Sequence, residues 1–132
     1  MTSRLEVAQD VWYRVFTRDR FRCVYCGKRT LESLDTFAAS HLDHLKPRAC
    51  GGTDDEVNSV TACSVCNSIK GGYDPWPVGQ VTIENRFAVL ENARTYVRDK
   101  REGRREWSYV RDYRYWLAQS AKFQDESEGR KS

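Results

Sequence analysis

Four of the chain's five cysteines fall in two C-x-x-C pairs, Cys23 with Cys26 and Cys63 with Cys66. A random chain of this composition would hold roughly 0.2 such pairs, so the pairing is not accidental. Each pair can pinch one side of a tetrahedral thiolate site, which is the donor set of a structural zinc. A redox role would need one reactive pair at the start of a helix in a thioredoxin-like unit, and two matched pairs do not serve that chemistry. Cys50 stands outside the set and reads as a small semi-buried thiol. The 36 residues between the pairs are more than a simple zinc ribbon requires, so the insert must hold something of its own. It carries Asp43-His44-Leu45-Lys46-Pro47, then Gly51-Gly52, then Asn58, and Asn67 follows Cys66 directly.

This constellation resembles the zinc-stapled HNH endonucleases, whose ββα-metal (His-Me finger) core follows the pattern D-H-x-x-P, G-G, N, C-x-x-C-N-x-x-K. The matching positions are Asp43, His44, Pro47, Gly51, Gly52, Asn58, Cys63, Cys66, Asn67 and Lys70, and the resemblance covers residues 18–72. Many members have histidine where Asn67 stands, so this is an H-N-N variant. The resemblance implies metal-dependent hydrolysis of DNA phosphodiester bonds, by nicking or double-strand cleavage, leaving 5′-phosphate and 3′-hydroxyl ends.

Chemistry assigns the roles. A neutral imidazole titrates near physiological pH and can deprotonate water, which makes His44 the candidate general base. The charge that develops on a cleaved phosphate calls for a divalent cation, Mg²⁺ or Mn²⁺, held by one or two protein oxygens; Asp43 and the Asn67 amide oxygen fit. Adjacent residues of a strand point opposite ways, so Asp43 and His44 share a substrate only if the chain turns at His44, as Pro47 and the following loop allow. Asn58, the family's middle asparagine, is expected to bond loop backbone and hold the His44 segment, completing a catalytic set of His44, Asp43, Asn58 and Asn67. His41 lies two before Asp43 on the same strand face; with Arg48 and Lys70 it is a candidate substrate contact. Asp54, Asp55 and Glu56 read as solvated loop acids.

These residues need a scaffold, and the pattern around them predicts an α+β fold. Ser3 and Glu6 form a capping box, and Leu5, Ala8, Val11, Trp12 and Val15 follow at helical spacing, so residues 1–17 hold a helix that packs on the core. The nuclease core spans 18–72: a helical turn over 30–34, a strand over 36–42, a second strand over 57–62 and a short helix over 64–70 that ends at Gly71-Gly72. Asp74-Pro75-Trp76-Pro77 marks a linker over 73–83. Two helices follow within 84–123, the first with an apolar stripe of Ile83, Phe87, Leu90 and Val97, the second with Trp107, Val110, Arg114, Leu117 and Ala121. Residues 124–132 read as a disordered tail.

Composition sets the context. Leu, Ile, Val and Phe make up 26 of 132 residues, thin enough that a metal cross-link is a needed stabiliser. No charged-then-apolar leader opens Met1–Asp10 and the mean hydropathy is −0.76, so a cytoplasmic protein without a membrane span is expected. Net charge is only +3, yet 16 of the 22 basic residues are arginine, the side chain suited to phosphate. Residues 84–122 carry +4 against +2 for 11–72, and the aromatic, basic C-terminal helices offer a surface for double-stranded DNA or for a protein partner. Two other readings keep the same zinc fold: a nucleic-acid-binding module without cleavage, and a nuclease subunit active only with a partner.

Overall fold

The computed structural model describes the backbone of residues 4–130 and the side chains of residues 10–124. Its elements are α1 (Arg4–Arg18), α2 (Leu34–Ala38), β1 (Ser40–His44), β2 (Ser59–Cys63), α3 (Ser64–Lys70), α4 (Arg86–Arg101) and α5 (Ser108–Arg130), with 3-10 turns at Arg48–Cys50 and Glu56–Asn58. They divide into two units, residues 1–98 and 99–132. The Ser3–Glu6 capping box lies outside the described residues, as do the side chains of Leu5 and Ala8. Among the described residues no helix is long and apolar enough to cross a membrane.

The first unit is an α+β fold built on a two-stranded antiparallel sheet with α3 following it, the arrangement of a ββα-metal core. Pairing runs from Ser40 opposite Cys63 at one end to His44 opposite Ser59 at the other. The outer edge of β2 is covered rather than exposed to pairing with another chain. Arg18 donates to the carbonyls of Glu56 (3.0 Å) and Ser59 (2.6 Å), the Asp19 carboxylate accepts from Thr61 N–H (2.9 Å), and Val24 N–H donates to Thr61 O (3.0 Å). Val15, Leu45, Val60, Ala62, Ile69, Val89 and Val97 form the buried interior.

Several boundaries differ from the sequence expectation. The strand expected over 36–42 is a helix followed by a strand: Ser33 Oγ accepts from Thr36 N–H (3.1 Å) and Thr36 Oγ1 from Ser33 N–H (2.9 Å), a reciprocal cap that starts α2 and delays β1 to Ser40. Likewise Asp55 caps the Glu56–Asn58 turn, which delays β2 to Ser59. Ile83 and Phe87 are exposed. The buried stripe of α4 is Val89, Leu90, Ala93 and Val97; Ile83 precedes the helix, and Phe87 sits about 100° around from the centre of that stripe. The 73–83 segment is packed, not a free tether. Pro75 and Val81 are buried, Asp74 Oδ2 accepts from Lys46 Nζ (2.8 Å), Gln80 donates to Gly51 O (2.8 Å) and Asn92 to Pro75 O (3.1 Å).

In the second unit, Gly103 adopts a left-handed φ of 78° between α4 and α5, and the Arg104 guanidinium bonds Asp99 (2.9 Å) and Glu102. α5 continues to Arg130, past Gln124 where a disordered tail was expected. Gln124, Glu126, Glu128 and Arg130 there are good helix formers that need no apolar contact. Tyr109, Tyr113, Tyr115, Trp116, Leu117 and Phe123 are exposed, so Leu117 does not belong to a covered stripe.

Candidate active site

Two C-x-x-C turns meet at one end of the sheet. In the first, Cys23 N–H donates to Lys28 O (2.9 Å) and Gly27 N–H to Cys23 O (2.8 Å), and Gly27 takes a left-handed φ of 78° that a side chain would strain. In the second, Cys63 ends β2 and caps α3, with its Sγ 3.5 Å from Cys66 N. The four sulfurs lie within 4.8 Å of one another, and the Cys26–Cys63 separation is 3.8 Å. Zinc–sulfur bonds of about 2.3 Å in a tetrahedron set edges of about 3.8 Å, so the donor set fits the ion in type and spacing. Crowding splits the thiols. Bonding with Cys23 lowers Cys26 to about 6 and pulls Cys63 far down, while contacts with the other sulfurs push Cys23 and Cys66 up. Four thiolates cannot share this space without a cation, and a divalent ion at the centre removes the conflict.

At the opposite end of the sheet, an open cleft of about 380 Å³ is lined by Leu42, Asp43, His44, Pro47, Arg48, Asn67 and Gly71. β1 stops at His44 and the chain bends, so Asp43 and His44 reach the same cleft although they are adjacent in the strand. His44 Nε2 lies 2.9 Å from Asp54 Oδ1, and Arg48 Nε lies 2.7 Å from the same oxygen. Hydrogen bonds from His44 and Arg48 hold the Asp54 carboxyl below its ordinary range, so it accepts. In a neutral imidazole Nε2 would donate to that carboxylate, which leaves Nδ1 as the nitrogen able to accept a proton.

Asp43 is buried to 8% exposure, and its Oδ2 accepts from Tyr25 OH (2.5 Å) and faces Lys70 Nζ at 3.7 Å. Burial pushes its carboxyl up against the pull of Lys70 and Tyr25, so a cation beside it would stabilise the charged form. The Asn67 amide, one residue beyond Cys66, makes no hydrogen bond among the described residues and is free to offer its oxygen. A carboxylate and an amide oxygen on an open cleft form a fitting donor pair for a hard divalent ion.

The loop between the strands is fixed from inside. Asn58 is buried; its Oδ1 accepts from Lys46 N–H (2.9 Å), and its Nδ2 donates to the carbonyls of Lys46 (3.0 Å) and Thr53 (2.8 Å). Its own carbonyl accepts from Leu45 N–H (2.8 Å), directly after His44. Gly52 folds back so tightly that a Cβ there would lie 1.8 Å from Lys46 O, which explains why the second glycine of the pair admits no side chain.

The fold thus gathers Asp43, His44, Asn67 and Arg48 at the cleft and puts Asn58 beneath it. His41 pairs with Ala62 and does not line the cleft. Lys70 corrects the expectation of a substrate contact: its side chain is fully buried, because Nζ donates to His44 O (2.7 Å) and pairs with Asp43. Cys50 is exposed rather than semi-buried. Sequence reasoning missed two partners. Asp54 was grouped with solvated acids, and only the loop's return selects it from Asp55 and Glu56. Tyr25, inside the first C-x-x-C turn, carried no signal at all.

Residues 23–72 match the family model described as HNH endonuclease. That segment is similar to the HNH endonucleases and makes up less than half of the chain. The CRISPR-associated endonuclease Cas9 of Corynebacterium diphtheriae is 41% identical over 64 residues, which is 47% of this chain and 5% of that protein. The chain therefore resembles a small part of that relative. No solved structure matches the chain significantly.

Proposed function

We propose that the protein is a metal-dependent HNH endonuclease that hydrolyses phosphodiester bonds of double-stranded DNA, with Cys23, Cys26, Cys63 and Cys66 holding a structural zinc. The observation that carries this reading is the cleft itself: a histidine with one nitrogen bonded to Asp54 and the other without a hydrogen bond among the described residues, beside an oxygen pair on Asp43 and Asn67. The Corynebacterium diphtheriae relative is itself an endonuclease, in agreement with this reading.

His44 Nδ1 takes the proton from an attacking water, and Asp54 at Nε2 stabilises the imidazolium that forms. Asp43 and Asn67 would hold a Mg²⁺ or Mn²⁺ ion, which supplies positive charge to the phosphate and the departing 3′ oxygen. Arg48, exposed on the rim, would meet a flanking phosphate. Asn58 and Lys70 act through the backbone instead: Lys70 holds the His44 carbonyl and Asn58 holds Lys46, two residues on.

The test is nicking of supercoiled plasmid by the purified protein with Mg²⁺ or Mn²⁺ and with EDTA, alongside His44→Ala. Metal-dependent nicking that the variant lacks is the expected result. A folded, zinc-loaded wild type that leaves the plasmid intact would overturn autonomous cleavage in favour of a partner-dependent subunit or a binding module.

A further inference from the structure

Tyr25 lies between two of the four clustered cysteines, yet its hydroxyl ends on an acid of the cleft. The ring is buried, and the bond to Asp43 Oδ2 spans 18 residues of sequence at 2.5 Å. Its platform is rigid. Val24, the preceding residue, has both backbone groups engaged: N–H donates to Thr61 O (3.0 Å), and its carbonyl accepts from Arg94 Nε (2.7 Å). Cys23 and Cys26 fix the turn on either side. Lys70 approaches the same Asp43 oxygen, so both protein contacts fall on Oδ2. Oδ1 is left without a hydrogen bond among the described residues, on a side chain that lines the cleft.

We propose that Tyr25 is a positioning residue for the cleft's divalent ion: it locks Asp43 through Oδ2, presents Oδ1, and so makes affinity at the cleft depend on the four-cysteine cross-link. This rests on the metal-site reading given above. Partners that orient a metal-ligating carboxylate typically change affinity by about 10- to 100-fold when removed. Tyr25→Phe deletes the hydroxyl and keeps the ring.

The experiment titrates Mn²⁺ into the zinc-loaded full chain, followed by electron paramagnetic resonance, for wild type, Tyr25→Phe and Asp43→Ala. Zinc content and melting temperature are recorded for each. The expected result is loss of Mn²⁺ binding in Asp43→Ala and about 10- to 100-fold weaker binding in Tyr25→Phe with zinc retained. Nicking by Tyr25→Phe should then fall at limiting Mn²⁺ and recover at saturation, a split that a general loss of fold would not give. Wild-type affinity in Tyr25→Phe, with binding lost in Asp43→Ala, overturns the role of Tyr25. Unchanged binding in Asp43→Ala instead overturns the metal assignment beneath it. Should Tyr25→Phe shed zinc, the wild type decides the matter: the Tyr25 hydroxyl proton should shift as Mg²⁺ fills the cleft, and an unmoved signal overturns the proposal.

Discussion

The two ends of the β1–β2 sheet are held by different means. At the Ser40–Cys63 end, four side chains of one kind converge from two short turns. At the His44–Ser59 end, single residues from a strand, a loop and a helix converge, held by hydrogen bonds of Asn58, Lys70 and Asp54. The first arrangement concentrates stability in one cross-link. The second spreads it over many bonds and leaves an open cleft. Two connections join the ends: α3, which begins at the cysteines and delivers Asn67 and Lys70, and Tyr25.

Variants at the two ends should therefore behave differently. The largest effect belongs to Cys66→Ser or Cys23→Ser. Structural zinc contributes on the order of 10–16 kcal/mol of apparent folding energy, so either change should abolish zinc binding and the cooperative melt of the first unit. A soluble zinc-free variant with normal melting would remove the cross-link from its place in the comparison. His44→Ala should lower nicking by about 10²- to 10⁴-fold with zinc content and melting temperature unchanged, which separates chemistry at one end from stability at the other. Asn58→Ala removes one acceptor and two donated bonds at a buried site; we expect a loss of about 2–4 kcal/mol in chemical denaturation, still with zinc bound. Asp54→Asn should reduce nicking about tenfold by weakening the hold on Nε2, while the melting temperature stays put because the side chain is exposed. The smallest effect is expected from Tyr113→Ala on α5, within about 0.5 kcal/mol by thermal melting, since that side chain is exposed.

Legibility followed the same division. The cysteine pairs could be read because both members of each pair sit in one short turn, and α3 was placed at Ser64–Lys70 because Gly71-Gly72 ends it. Asn58 was read as a clamp on loop backbone, and its three side-chain bonds do that. The strand starts were misplaced by two caps, Ser33–Thr36 and Asp55, which win over β-branched composition by satisfying backbone groups locally. Ile83 and Phe87 failed as core residues because spacing alone does not locate the start of α4.

What the sequence determined by itself was a set of features carried at short range: the two C-x-x-C turns, the glycine pair at which the loop bends, and the asparagine that follows Cys66. Tertiary structure decided which polar groups, distant in sequence, would share a buried space. Lys70 is a surface phosphate ligand or a buried tether depending only on where α3 docks, and docking turned its ammonium toward the His44 carbonyl. Asp54 became the partner of His44, and Tyr25 that of Asp43, for the same physical reason. A buried or converging polar group must find its complement, and the complement is chosen by chain packing across many residues rather than by neighbours in the sequence.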